Sequence, residues 1–182
     1  MTCIVGFVEK KTKKVIIGAD SIGISNYYNK VVRKDSKVFF VDSFLIGCTG
    51  SFRMAQLLRF SLKIPPISTK DSYEFMCTDF IDAVRECFKT GGFIQKYPNG
   101  DEKGEPFLVG YKGRLFSVNE DFQVGENLNG LDAIGAGFAY ALGSLHSTKN
   151  TSLSAKERVK LALEASEEYC SGVSKPFNIL EI

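Results

Sequence analysis

A single histidine, His146, serves the whole chain of 182 residues. That argues against a His-based triad or a His-rich zinc site, and His146 itself reads as a surface or helix-end residue. No apolar run approaches the roughly 20 residues a membrane-spanning helix needs. The start lacks the basic-then-apolar pattern of a secretory signal, so the Asn150-Thr151-Ser152 glycosylation match reads as chance. The five cysteines, Cys3, Cys48, Cys77, Cys87 and Cys170, are odd in number, and no two have Cys-x-x-Cys or metal-ligand spacing. Reduced thiols in a cytoplasmic chain are the simplest reading. Net charge is only +2, with no basic block and no basic helix face, which disfavours nucleic acid or an acidic membrane as the first partner. There is no internal repeat, low-complexity segment or linker. With 44% hydrophobic and 24% charged residues, the chain reads as one globular domain over residues 1–182.

What the chain does have is concentrated in its first twenty residues. Met1-Thr2-Cys3-Ile4-Val5-Gly6-Phe7-Val8 and Val15-Ile16-Ile17-Gly18-Ala19-Asp20 are strand-like runs flanking a Lys-rich turn, Glu9 to Lys14. A hairpin brings Thr2, at the open end of the first strand, near Asp20 at the end of the second. The small side chain after Met1 suits removal of the methionine, which leaves Thr2 with a hydroxyl and a free α-amine. A threonine hydroxyl needs an adjacent base to act as a nucleophile, and an N-terminal amine is one. Its pKa of about 7.7–8.0 keeps a useful fraction neutral near physiological pH. Alone, each residue is ordinary; an Asp commonly closes a strand at a turn.

Further along, Ser21 to Lys30 reads as a loop. Val38–Asp42 and Phe44–Gly50 form a second hairpin. Gly50-Ser51 opens a helix with Phe52, Ala55, Leu58 and Leu62 on one side, stopped by Pro65-Pro66. A second helix, about 72–89, has Phe75, Met76, Phe80, Val84, Cys87 and Phe88 as its core face. Thr90–Glu105 is a loop or hairpin tip rich in Gly and Pro. Pro106–Tyr111 and Arg114–Val118 are strands around a tight Lys112-Gly113 turn, and Asp121–Asn129 is turn-like. Ala133–Gly137 leads into a helix from Phe138 to Leu145. Ser154-Ala155-Lys156-Glu157 is a capping box opening a last helix whose buried side comprises Val159, Leu161, Ala162, Leu163, Ala165 and Ser166. Phe177–Ile182 is a final strand. Hairpins dominate this order, so the expectation is α+β: two antiparallel sheets with helices outside them.

Taken together, these segments resemble proteasome β-subunits and their bacterial relative, the HslV peptidase, over nearly the whole chain. The resemblance rests on Thr2 before a strand, Gly18-Ala19-Asp20, Ser36-Lys37-Val38-Phe39-Phe40-Val41-Asp42, and Leu45-Ile46-Gly47-Cys48-Thr49-Gly50. The Val109-Gly110-Tyr111 hairpin, Ala133-Ile134-Gly135-Ala136-Gly137 and a last helix ending in Ser171-Gly172 complete it. Their order is more specific than any single match. The resemblance implies a four-layer αββα sandwich, the N-terminal-nucleophile (Ntn) hydrolase fold.

It also implies roles. Thr2 matches the nucleophile and its amine the general base. Lys37 matches a lysine whose charge lowers the proton affinities of that hydroxyl and amine, and Asp20 the acid that positions the lysine. Gly47 matches a backbone N–H donor to the oxyanion, a contact worth roughly 3–4 kcal/mol of barrier. Ser171 matches a serine near the amine, and Glu168 stands where the family usually has Asp. Gly23, Leu45, Thr49 and Arg53 fall near positions shaping the pocket for the residue before the cleaved bond; Leu45 favours apolar side chains and Arg53 acidic ones. No cofactor and no metal is implied. One departure is sharp: Gly135-Ala136-Gly137 replaces Gly-Ser-Gly, whose serine hydrogen-bonds the amine.

The leading expectation is a threonine peptidase of a self-compartmentalising, homo-oligomeric stacked ring, acting on peptide or unfolded protein delivered by an ATPase unfoldase. Two alternatives stay open. One is an Ntn amidase acting on a small amide. The other is a catalytically weak or inactive ring scaffold, which Ala136 and a retained Met1 favour and the joint presence of Thr2, Asp20, Lys37 and Gly47 opposes.

Overall fold

The computed structural model describes residues 1–25, 29–66, 69–96 and 102–182. Two apolar runs around a charged turn do form a hairpin, β1 (Ile4–Val8) and β2 (Val15–Ala19). Lys13 takes φ 60° in the turn, which closes through Glu9 N–H to the Lys14 carbonyl at 2.8 Å. Then come β3 (Ile22–Ile24), β4 (Lys30–Val32), β5 (Val38–Val41), β6 (Phe44–Cys48) and α1 (Phe52–Phe60). α2 (Ser72–Phe75), a π-helical segment (Met76–Phe80) and α3 (Ile81–Thr90) make one helical run. β7 (Gln95–Lys96), β8 (Glu102–Lys103), β9 (Phe107–Tyr111), β10 (Arg114–Val118), β11 (Val124–Glu126) and β12 (Leu131–Ile134) follow. α4 (Phe138–Ser147), α5 (Ala155–Tyr169) and β13 (Asn178–Glu181) end the chain.

Two antiparallel sheets result, in the orders β12-β1-β2-β13 and β11-β10-β9-β6-β5. Both faces of each are covered, which is why the central strands read as continuous apolar runs rather than alternating ones. Between the sheets pack Ile4, Val8, Val15, Ile17, Val38, Leu45, Leu108 and Leu115. Cys3, Val5 and Ile16 face α4 and α5. Phe44, Ile46 and Cys48 face α1 and the α2–α3 run, whose Phe75, Met76, Phe80, Val84 and Phe88 are buried. This is the αββα sandwich. The strand period of two assigns alternate residues to the two layers. It puts Gly47 inward, where a Cβ would lie 2.7 Å from Ile4 Cγ2 and 2.8 Å from Ile17 Cγ2.

Four features depart from the sequence reading. The stretch after Asp20 contains the hairpin β3–β4; Asn26–Tyr28 lie outside the described residues. β4 gave no signal because all three of its residues are exposed, Val31 and Val32 by more than half. β11 and β12 occupy segments read as a turn and a helix lead-in; β12 instead pairs with β1 in the register Ile4↔Ile134. Leu161 is exposed, at 38%. A helix turns by about 100° per residue, so Val159, Ala162, Leu163 and Ser166 share one face and Leu161 leaves it. The Thr90–Glu105 region, read as a loop or hairpin tip, does hold a hairpin, β7 pairing with β8; 97–101 lie outside the described residues.

Candidate active site

Strand register brings the chain's first polar residues together. Ile4 opposes Ala19, so Cys3 and Asp20 are the next pair, and Asp20 N–H donates to the Cys3 carbonyl at 3.3 Å. From the other sheet, Val38 opposes Gly47 and Cys48 N–H donates to the Lys37 carbonyl at 2.9 Å. Lys37 thus leaves the start of β5 beside the open end of β1. Its Nζ donates to Thr2 Oγ1 at 2.9 Å and to Asp20 Oδ1 and Oδ2, each at 2.9 Å. All three residues are buried: Thr2 3%, Asp20 0% and Lys37 4% exposed.

Asp20 is held from both sides. Oδ1 also accepts from Cys3 N–H at 2.9 Å and Oδ2 from Ile22 N–H at 3.1 Å. Four donated hydrogen bonds fix the carboxylate, and the carboxylate fixes the ammonium. Burial pushes the Lys37 pKa below its ordinary value; Asp20 opposes that shift and the Arg33 guanidinium adds to it. A buried cation with three fixed acceptors is a preorganised source of positive potential at the Thr2 hydroxyl.

The hydroxyl has a second contact. Thr2 Oγ1 donates to the Met1 carbonyl at 2.6 Å, so with Met1 in place its proton rests on the preceding peptide group. Met1 packs over Gly172, where a Cβ would sit 2.4 Å from the Met1 Cβ. The Thr2 carbonyl accepts from Gly137 N–H at 3.3 Å. Gly135, at φ +89°, lies so close that a Cβ would meet that carbonyl oxygen at 2.4 Å. Only glycine meets both demands there.

Comparison with solved structures places this architecture. Thiobacillus denitrificans BPH in complex with Epoxomicin superposes with a TM-score of 0.80 at 20% identity, over 98% of this chain and 97% of that one. Eukaryotic HslV from Trypanosoma brucei gives 0.69 at 14% identity, over 99% and 98%. The Anbu Gly-1 mutant from Hyphomicrobium sp. strain MC1 gives 0.68 at 17%, over 98% and 80%. The chain has the proteasome-like Ntn hydrolase fold. No family sequence model and no curated protein matches it by sequence.

Within this proteasome-like fold the remaining expected residues are distributed unevenly. Gly47 lies opposite Val38, one step from Lys37. Thr49 is near Thr2, its Oγ1 3.0 Å from where a Gly135 Cβ would be, the same position that crowds the Thr2 carbonyl. Gly23 sits under Arg33: a Cβ there would meet Arg33 Cδ at 2.9 Å. Leu45 is fully buried between the sheets. Arg53 is exposed on α1, lining a groove with Leu57 and Cys87. Ser171 and Glu168 are exposed. The neighbouring Glu167 ties the end of α5 down, accepting from Lys175 N–H at 2.8 Å and Ser174 Oγ at 3.2 Å; these donors hold its carboxyl below the usual range.

Several neighbours of the cluster were not evident in the sequence. Arg33 stacks its guanidinium 3.9 Å from the centre of the Phe52 ring, pairs with Asp35 through two 2.8 Å hydrogen bonds, and donates its N–H to the Ser21 carbonyl. The Lys37 ammonium lies 5.9 Å from the same ring. Ser166, read only as a helix-face residue, is fully buried; it donates to the Gly137 carbonyl at 3.0 Å and accepts from Cys3 Sγ at 3.4 Å. Among the described residues, no group of three or more His, Cys, Asp or Glu is placed to hold a metal, and no helix is long and apolar enough to cross a membrane.

Proposed function

We propose that the chain is an N-terminal threonine peptidase, a single hydrolase domain spanning residues 1–182. The contact of buried Lys37 with both Thr2 Oγ1 and the Asp20 carboxylate carries this reading. Removal of Met1 takes away the carbonyl that now holds the hydroxyl proton and frees the α-amine of the same residue. That amine accepts the proton as Oγ1 attacks the carbonyl carbon of a peptide bond. It returns the proton to the leaving amine, giving an acyl ester on Thr2. Water, deprotonated by the same amine, releases the acyl group and restores the hydroxyl. Lys37 stabilises the developing alkoxide and keeps the amine neutral; Asp20 positions Lys37. The Gly47 N–H, expected at the oxyanion, instead points along the sheet toward β9, where Gly47 opposes Leu108, so the oxyanion falls to another backbone N–H. Ser171, next to the Gly172 that Met1 covers, is assigned to the surroundings of the amine, and Gly23 and Thr49 to the side-chain pocket. Leu45, closed inside the inter-sheet core, and Arg53, on a groove with Leu57 and Cys87, do not line it, and Glu168 is exposed with no contact to the cluster.

The fold it shares with BPH, HslV and Anbu supports a homo-oligomeric stacked ring working in the cytoplasm on peptides or unfolded protein, with an ATPase unfoldase as its feeder. One second reading has an observation behind it. Met1 seated on Gly172 and the missing hydroxyl at Ala136 fit a ring-forming scaffold of low activity. Hydrolysis of fluorogenic peptides by protein with Thr2 exposed, against a Thr2→Ala variant, separates the two. Loss of at least about a thousandfold in the variant is expected for removal of a covalent nucleophile. Full activity in Thr2→Ala overturns the mechanism, and a monomer at micromolar concentration overturns the ring.

A further inference from the structure

A cavity of about 780 Å³ opens between the β1–β2 turn and the connection from α4 to α5, and none of its lining residues belongs to the Thr2 cluster. Lys10, Lys11, Lys149, Arg158 and His146 line it, together with Ser154 at the start of α5; Glu9 is the one carboxylate on its wall.

Arg158 is the decisive residue. It is 9% exposed, and a buried guanidinium calls for a counter-charge. No carboxylate pairs with it among the described residues. Nε donates to Thr148 Oγ1 at 3.1 Å, Nη2 donates to the Leu145 carbonyl at 2.6 Å, and the group lies 4.4 Å from the centre of the Phe7 ring. Capping the Leu145 carbonyl near the end of α4 accounts for Nη2, and the Thr148 hydroxyl for Nε. Neither accounts for Nη1, which has no hydrogen bond. No buried side-chain nitrogen or oxygen among the described residues lacks a partner, so Nη1 is not sealed in the interior, and Arg158 lines the cavity. Nor does capping account for Lys10, Lys11 and Lys149, which are exposed and unpaired with any carboxylate among the described residues.

α5 begins at the same wall. Ser154 Oγ accepts from Glu157 N–H, which leaves the N–H groups of Ala155 and Lys156 without intrahelical acceptors. The Glu157 carboxylate, which accepts from Ser154 N–H at 2.8 Å and from Ser154 Oγ at 2.6 Å, offsets this helix end, so the cavity's positive charge comes from the four cations.

We propose that this cavity binds a small phosphorylated anion carrying at least two negative charges. A guanidinium with a free donor edge suits phosphate oxygens, the lysines supply mobile charge, and the volume exceeds what a single inorganic ion fills. The site does not depend on Thr2 chemistry.

Because His146 is the chain's one histidine, its ring protons are a unique NMR reporter on the cavity wall. The protein is titrated with inorganic pyrophosphate at constant ionic strength, alongside a short poly-glutamate peptide. A saturable shift of the His146 resonances by pyrophosphate is expected. In Lys10→Glu/Lys149→Glu the affinity falls by about tenfold or more, as attractive charges become repulsive. If that double variant does not fold, Lys149→Gln with weakened binding provides the same test. The proposal is overturned by no saturable shift at millimolar pyrophosphate, by equal affinity in the charge variants, or by tighter binding of the peptide.

Discussion

Replacing Asp20 by Asn changes one oxygen of a completely buried side chain, and the surrounding donors leave the amide no good orientation. Each carboxylate oxygen accepts from Lys37 Nζ and from one backbone N–H, that of Cys3 or that of Ile22. Whichever way the Asn side chain turns, its NH₂ faces an ammonium and an amide, both donors. The substitution also leaves Lys37 buried without its counter-charge. Breaking a buried pair by removing one partner costs about 3–5 kcal/mol. For a domain of this size each kcal/mol lowers Tm by about 2–4 °C, so a fall of roughly 6–20 °C is expected. Thermal unfolding followed by circular dichroism measures it. Lys37→Met alone is milder, because Asp20 keeps two backbone donors. The double variant Asp20→Asn/Lys37→Met recovers part of the loss, since no buried charge then lacks a partner. A Tm for Asp20→Asn within about 2 °C of wild type, near the 1 kcal/mol level, refutes the reasoning. So does a double variant in which the two losses simply add, because contacting residues couple by about 0.5–3 kcal/mol.

Gly135→Ala meets a positive φ and a Cβ placed 2.4 Å from the Thr2 carbonyl oxygen; a loss of about 1–3 kcal/mol from backbone strain alone is expected, and a wild-type urea midpoint contradicts it. Alkaline stability follows from the buried thiols. Burial pushes the Cys3 thiol from 9.0 up to about 12 and Cys48 further in the same direction. The unfolded thiols ionise first, so stability is fully present below about pH 9 and is lost as pH rises from there through the folded value, by up to about 1.4 kcal/mol per unit for each thiol. The lowered Lys37 works in the opposite sense, adding stability as pH rises from its folded value toward 10.5; two thiols against one amine leave a net loss. Tm measured from pH 8 to 11 tests this, with Cys48→Ala expected to flatten the decline.

Segments whose side chains are buried with a clear period were legible in the sequence. The β1–β2 hairpin, the β5–β6 hairpin, the Ser154–Glu157 capping box and the Phe75–Phe88 core face all lie where their patterns put them. Elements whose stability comes from pairing alone left no pattern. β4 buries none of its side chains, and β11 and β12 are short and interrupted by Gly125 and Asp132. At the site, the hairpin made the nearness of Thr2 and Asp20 legible, because register follows from turn length. Contacts made by loops and helix faces around the cluster were not. The stacking of Arg33 on Phe52, the Ser166 link from α5 to Gly137 and the seat of Met1 on Gly172 join residues far apart in the chain through side-chain geometry that no local spacing encodes. The unpaired edge of Arg158 belongs to the same class; in sequence it was one more charge on a helix.

The central claim is that Thr2, once it begins the chain, is a nucleophile carrying its own base. Intact-mass measurement with a threonine-directed epoxyketone tests both halves, because that reagent closes a ring with the hydroxyl and the free amine together. If Met1 is retained on the purified protein, aminopeptidase treatment precedes the reaction, so that Thr2 begins the chain in either case. The account predicts one adduct per chain lacking Met1, absent in Thr2→Ala. A chain that has lost Met1 and takes up no adduct contradicts it and leaves the scaffold reading.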